Sequence, residues 1–243
     1  MQLTPTFLLE AWERAAPLAA HARPLALLAL ADGAVEPTDL ALLPLGMRDE
    51  RLLRVRRQLF GDRMTCTTVC PGCGGYLELD LCAGDFLGAA ADAAEAVHRL
   101  DCDGYAVDFR TPNSTDLGAL VLQGNGAEAE QQILARCVID ARGPSGPLDP
   151  RQLPPDLVAA LEREIERRDP LAVIWLDLTC EHCGHAWRSL FDIASLLWIE
   201  IDRWARTLLQ EVHQLAHAYG WAERDILQMS AVRRHGYLGM IWA

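Results

Sequence analysis

The clearest hydrophobic pattern in the chain begins at Ile193. From there Leu196, Leu197, Ile201, Trp204, Leu208, Val212, Leu215 and Tyr219 recur every three or four positions, which predicts one long amphipathic helix stopped by Gly220. A short helical pair is expected over 222–229 and 231–241, with Ser230 as a cap. Near the other end, helices are expected over 7–14, 24–31 and 47–60, the last stopped by Gly61, and 32–45 reads as loop because it carries Gly33, Pro37 and Pro44.

The period changes to two in four runs. Residues 64–69 and 76–81 form one strand-like pair, and 172–179 and 185–193 form another. Between the pairs lies a mixed segment. It predicts an Ala-rich helix over 85–96 and a hairpin of 97–101 with 105–110 around Asp103-Gly104. A helix capped by residues 111–114 follows and runs to about Leu122. After a break at 124–126, a helix over 127–141 carries Ile133, Cys137 and Val138 on one face. The Pro- and Gly-rich stretch 142–155 reads as an exposed loop, and Asp156 as the cap of a helix to Arg168.

Each strand pair brackets a Cys-x-x-Cys turn: Cys70-Pro71-Gly72-Cys73-Gly74 and Cys180-Glu181-His182-Cys183-Gly184. Such a turn aims two sulfurs at one point, and two turns supply the four soft ligands of a tetrahedral zinc. Four cysteines leave no open coordination position, so a structural Zn2+ held by Cys70, Cys73, Cys180 and Cys183 is expected. Cys66, His182 and His185 stand near enough in sequence to substitute. The 106 residues from 74 to 179 are then an insertion. Closing a loop of that length rather than one of ~20 residues costs only ~1.5 kcal/mol more. Redox chemistry is the competing reading of Cys-Pro-Gly-Cys, but a thioredoxin-type motif opens a helix, whereas Gly74-Gly75 and a strand follow here. Of the other cysteines, Cys82, Cys102 and Cys137 read as small core residues.

The expected fold is therefore α+β and mostly helical. Zinc-ribbon-like hairpins stand at its centre, with a long helical insertion and a helical C-terminal region. The expected division is a helical segment 1–61, a ribbon core 62–193 with insertion 84–170, and the C-terminal helices 194–243.

Charge narrows the function. Acidic residues number 34 against 22 basic, a net charge of −12, which disfavours nucleic acid as a partner. The densest basic stretch, 48–57, reads as a solvated helical face with Leu52, Leu53 and Leu59 on its buried side. No run is long and apolar enough to cross a membrane, so a cytoplasmic protein is expected. His213 and His217 share a helical face, but Gln214 stands where a zincin needs glutamate. With no nucleophile elbow or phosphate loop, no enzyme is expected.

Several segments together resemble the baseplate hub assembly proteins of T4-type contractile phage tails and related injection systems. They are residues 43–49 and 52–61, the first knuckle with the strand after it, 107–117 (with Phe109-Arg110-Thr111-Pro112 and Asp116-Leu117), and 191–194. The resemblance continues through Leu197-Trp198, Glu200-Ile201 and the tail from Glu211-Val212-His213 to Tyr237-Leu238. It implies a non-enzymatic part in building a baseplate or central hub, with hub, spike or other tail proteins as partners. The protein would be cytoplasmic during assembly, and its presence in the finished particle stays open. Trp198, Trp204, Trp221, Tyr237 and Trp242 are the candidate partner-binding side chains, with filling of the protein's own helical core as the other reading. The alternative function is a zinc-ribbon nucleic-acid module using 221–241, where Arg224, Arg233, Arg234 and His235 supply positive charge.

Overall fold

The computed structural model describes residues 4–33, 36–88, 97–123 and 129–241. The fold is α+β and mostly helical, with small antiparallel sheets and a helical C-terminal region. Four helices open the chain: α1 Pro5–Ala15, α2 Arg23–Asp32, α3 Pro37–Ala41 and α4 Leu45–Phe60. The prolines at 37 and 44 do not leave 32–45 as plain loop. Pro37 instead starts α3, since proline fits the first turn of a helix where its missing N–H costs nothing.

Strands β1 (Arg63–Val69) and β2 (Tyr76–Cys82) pair in register from Arg63 opposite Cys82 to Val69 opposite Tyr76. Strands β7 (Ile174–Thr179) and β8 (Ala186–Phe191) repeat the arrangement around the second knuckle. In both hairpins burial alternates with the pleat. The inward residues Met64, Cys66, Leu81, Ile174, Leu176 and Phe191 join the main hydrophobic cluster. That cluster also takes Leu28, Leu40, Leu52 and Leu53 from the N-terminal helices and Ile193, Leu197 and Ile201 from α8 (Ile193–Tyr219). The first helices, both hairpins and the start of α8 thus share one core.

The insertion has its own. Strands β3 (His98–Cys102), β4 (Tyr105–Phe109), β5 (Val138–Gly143) and β6 (Gly146–Pro147) form one antiparallel sheet. Helices α5 (Ser114–Gln123), α6 (Ala129–Cys137) and α7 (Pro155–Arg168) accompany it. Val107, Phe109, Leu134, Cys137, Leu157 and Leu161 are buried together there. Asp103 and Gly104 both take positive φ, as the two-residue β3–β4 turn requires. The helix expected over 127–141 ends at Cys137, and 138–143 is strand β5, paired with β4. Val138 and Ala141 are buried there, so completing the sheet outweighs the helical spacing. The expected loop 142–155 likewise contains β6. Asp156 lies inside the first turn of α7, with Pro154 at the cap position. Asn113 caps α5, its Oδ1 accepting from the backbone N–H of Thr115 and Asp116. The expected helix over 85–96 falls largely outside the described residues; Ala83–Asp85 is a single 3-10 turn.

The C-terminal part follows the hydrophobic spacing closely. Asp192 caps α8 by accepting from Ser195 N–H, and Gly220 ends it with left-handed φ of 69°. Helices α9 (Glu223–Leu227) and α10 (Ala231–Ile241) fold back on α8, burying Leu208, Leu215 and Ile226. Ser230 Oγ accepts from Arg233 N–H, the expected cap. Among the described residues no helix is long and apolar enough to cross a membrane.

The stretch 48–57 is only partly solvated. Arg54 and Arg57 are exposed, while Arg48 and Arg56 are 6% and 3% exposed. Arg56 reaches across to Glu200 of α8, and Arg48 bonds Asp49 at 2.7 Å. Burial pushes the Asp49 carboxyl up to about 6; Arg48 opposes this, while Asp192 and Asp169 add to it. The folded protein then keeps a proton that the unfolded chain, with its ordinary value of 3.8, releases earlier. The native state binds more protons between these values, so Asp49 makes stability fall as pH rises from about 4 to about 6. Asp49→Asn should remove that dependence. Comparing wild type and variant by urea titration, the difference in unfolding free energy should change by about 2–3 kcal/mol between pH 4 and pH 7. A pH-independent difference would refute the buried carboxyl.

Candidate metal centre

The two knuckles are built alike. In the first, Cys70 N–H donates to Gly75 O and Gly74 N–H to Cys70 O, both at 2.9 Å. In the second, Cys180 N–H donates to His185 O at 2.9 Å and Gly184 N–H to Cys180 O at 2.8 Å. Gly74 and Gly184 adopt φ of 73° and 72°, a left-handed turn that glycine enters without penalty. These local bonds fix the backbone of each turn.

The core then brings the two hairpins together. Cys70 Sγ lies 3.7 Å from Cys183 Sγ, and Cys73 Sγ lies 3.7 Å from Cys180 Sγ. All four sulfurs fall within 4.8 Å of one another. A tetrahedral zinc with Zn–S bonds of about 2.3 Å needs sulfurs about 3.8 Å apart. The residues present therefore fit a four-thiolate metal ion, and no other such group of His, Cys, Asp or Glu occurs among the described residues. Cys70 and Cys180 are each 1% exposed, and Cys73 and Cys183 face outward, so the pseudo-symmetry extends to burial.

No family model, curated protein or solved structure matches this chain. The metal-site reading therefore rests on geometry and donor chemistry.

That chemistry favours a cation. Desolvation opposes ionisation of Cys180, yet the backbone N–H groups of Cys183 and His182 and the neighbouring thiols draw it down to about 6. The N–H of His185 favours the Cys183 thiolate, but the Cys73 thiol, burial and the thiols of Cys180 and Cys70 push it up to about 12. The crowded thiols thus push one another in opposite directions. A bound divalent ion supplies the charge that lets all four ionise.

The three possible substitutes stay out of the cluster. Cys66 points into the main core from β1, where burial raises its thiol. His182 and His185 join the knuckles in another way. A Cβ at Gly72 would come within 3.0 Å of the His185 ring, and one at Gly75 within 3.1 Å of the His182 ring. Each histidine of the second knuckle thus packs on a glycine of the first. After Cys73 the chain continues as strand β2, not as the helix a thioredoxin-like thiol requires. The remaining cysteines correct one expectation: Cys137 is fully buried, Cys102 is half-buried, and Cys82 is exposed at the end of β2, where the pleat turns it outward.

The aromatic candidates lie elsewhere. Trp198 is half-buried, with the Arg23 guanidinium 4.6 Å above its ring. Trp204 bridges the main core and the C-terminal cluster. Trp221 packs 4.5 Å from Tyr219 and 4.8 Å from Tyr237, measured between ring centroids. Trp242 lies outside the described residues. Sequence reasoning missed the buried polar contacts at Arg48, Asp49, Arg56 and Asp169. The Arg-Asp-Glu-Arg run at 48–51 gave no sign of them, since charge alternation looks alike on a solvated helix.

Proposed function

We propose that this chain is a non-enzymatic baseplate or hub assembly component of a contractile phage tail or phage-like injection system. It acts through contacts with other tail proteins and is held together by a structural zinc at Cys70, Cys73, Cys180 and Cys183. The observation that carries the reading is convergence. Segments that resemble the family are far apart in sequence yet touch one another. Leu45 N–H donates to Pro112 O at 3.0 Å, and Pro44 and Asn113 form a β-bridge. Arg48 donates to Ser114 Oγ, Arg56 pairs with Glu200, and Glu211 pairs with Arg234. The resembling segments therefore lie against one another instead of apart.

The nucleic-acid alternative has less support. Arg234 is 4% exposed and bonded to Glu211 at 2.7 Å; His235 also faces Glu211, and Arg224 pairs with Asp225. Arg233 lies over the Tyr237 ring at 5.8 Å, so three of the four basic groups face a carboxylate, which weakens their attraction to phosphate.

Deleting the gene from a particle-producing genome should abolish complete sheathed tails in electron micrographs, and restoring it should return them. Normal particles after deletion would sink the proposal. Elemental analysis of the reduced protein should give one zinc per chain.

A further inference from the structure

The sulfurs of the metal centre meet from knuckle to knuckle. Cys70 Sγ stands 3.7 Å from Cys183 Sγ, and Cys73 Sγ stands 3.7 Å from Cys180 Sγ. Each contact joins a buried cysteine of one knuckle to an outward-facing cysteine of the other, since Cys70 and Cys180 are buried and Cys73 and Cys183 are exposed. The hairpins are held in this relation from below: Met64 and Leu81 of the first and Leu176 and Phe191 of the second pack in one core. Gly72 N–H donates to Cys70 Sγ at 3.4 Å and steadies that thiol. The sulfurs of a disulfide lie about 2.05 Å apart, so each crosswise pair has only ~1.7 Å to close.

That arrangement suits a second chemistry. The thiolate is the reactive form of cysteine, and a metal-bound cysteine is already a thiolate. Cys183, reached from solvent, attacks one oxygen of a hydroperoxide such as hydrogen peroxide. An S–O bond forms, the O–O bond breaks and hydroxide leaves, so the sulfur is oxidised to a sulfenic acid. The Cys70 thiolate then attacks that sulfur; the S–S bond forms, the S–O bond breaks and a second hydroxide leaves. Two thiolates thereby become one disulfide, and one peroxide takes up the two electrons. The same sequence at Cys73 and Cys180 uses a second peroxide. With no thiolate left, the four sulfurs no longer hold a divalent ion.

We propose that the four cysteines are also an oxidative modification site, at which a hydroperoxide converts the metal clasp into a covalent one with crosswise disulfides Cys70–Cys183 and Cys73–Cys180. Both bonds tie hairpin to hairpin, so the join made by the metal outlives the metal. Disulfides closed within each knuckle would leave the hairpins without a link. The inference rests on the reading of the four cysteines as a metal centre and names what takes the place of the ion. The thiol pool of a cytoplasm keeps the metal form, and the oxidising surroundings outside a cell favour the disulfide form. A particle assembled inside a cell and then released passes from the first to the second.

The test starts from the full chain purified under reducing conditions, with its zinc content measured first. The reductant is removed, hydrogen peroxide is added in modest excess, and remaining thiols are alkylated in denaturant. Trypsin, used without reductant, places the knuckles in peptides 64–99 and 169–188, because an arginine precedes and ends each. Mass spectrometry should find these two peptides joined by two disulfides, with Cys66 and Cys82 alkylated. Fragmentation should assign the bonds to Cys70–Cys183 and Cys73–Cys180. A chromogenic chelator should record one zinc released as both bonds form, and dithiothreitol followed by zinc should restore the starting state. The melting temperature of the oxidised protein should no longer move with chelator. Two separate peptides, each closed on itself, would overturn the proposal. So would bonds joining Cys70 to Cys180 and Cys73 to Cys183, or cysteines that stay reduced or pass to sulfinic acid. A zinc-free reduced protein that still forms the crosswise bonds would sink the metal reading alone. Full zinc content followed by any of the wrong products would sink the disulfide inference alone.

Discussion

Chelating the metal from the purified, reduced protein should lower its melting temperature by more than about 10 °C, and Cys180→Ser should do nearly the same without chelator. The four sulfurs already stand 3.7–4.8 Å apart around one point. Apparent binding free energies at structural zinc sites are about 10–16 kcal/mol, comparable with the whole stability of an ordinary domain. A bound metal would add to hairpins of which only the inner faces join the core. Away from the core their outer faces are exposed, and two-stranded ribbons are marginal in water. Cys82→Ser, at an exposed thiol outside the cluster, is the control and should change the melting temperature by less than about 2 °C. A zinc-free protein whose melting is indifferent to chelator would refute the proposed clasp.

Arg56→Ala should be the most damaging single change away from the cysteines, costing about 3–5 kcal/mol in a urea titration. The guanidinium donates to both carboxylate oxygens of Glu200, at 2.9 and 2.7 Å, and to the carbonyls of Gly61 and Arg63, at 2.7 and 2.6 Å. It sits where α4 turns into β1 and where both meet α8. Truncation leaves two carbonyls and a carboxylate without their donor. Arg56→Lys should recover less than half of the loss, because a single ammonium cannot serve this fork. A cost below about 1 kcal/mol would place the pair among ordinary solvated ion pairs.

What the sequence made legible follows from how local each cause is. The helix from Ile193 to Tyr219, its Asp192 and Gly220 ends, and the Asp103-Gly104 hairpin depend on neighbours within a turn or two, and the spacing reveals them. The cysteine cluster was legible because Cys-x-x-Cys is itself a local device repeated twice. Strand β5 was hidden, since Ile133, Cys137 and Val138 have helical spacing and only the partner strand β4 decides otherwise. Arg48, Arg56 and Asp169 were hidden for the same reason: their burial depends on Asp49 and Ser114, on Glu200 and on Gly46, mostly far along the chain. A cleft lined by Ile133 and Ile165 of the insertion and by Trp175 and Leu190 of the second hairpin is likewise a product of distant segments, and nothing in the strand pattern marks it.

The wide separation of the knuckles also sets a timetable. At synthesis rates of about 5–20 residues per second, some 5–20 s pass between the emergence of Cys73 and that of Cys180. During that interval the nascent chain presents half a metal site, two thiols with no partners. The insertion made meanwhile has buried residues drawn from Val107 to Ile165 alone, so it can consolidate first. The main core cannot, because Ile193, Leu197 and Ile201 arrive later still. The four-cysteine cluster can therefore assemble only in chains translated past the second knuckle.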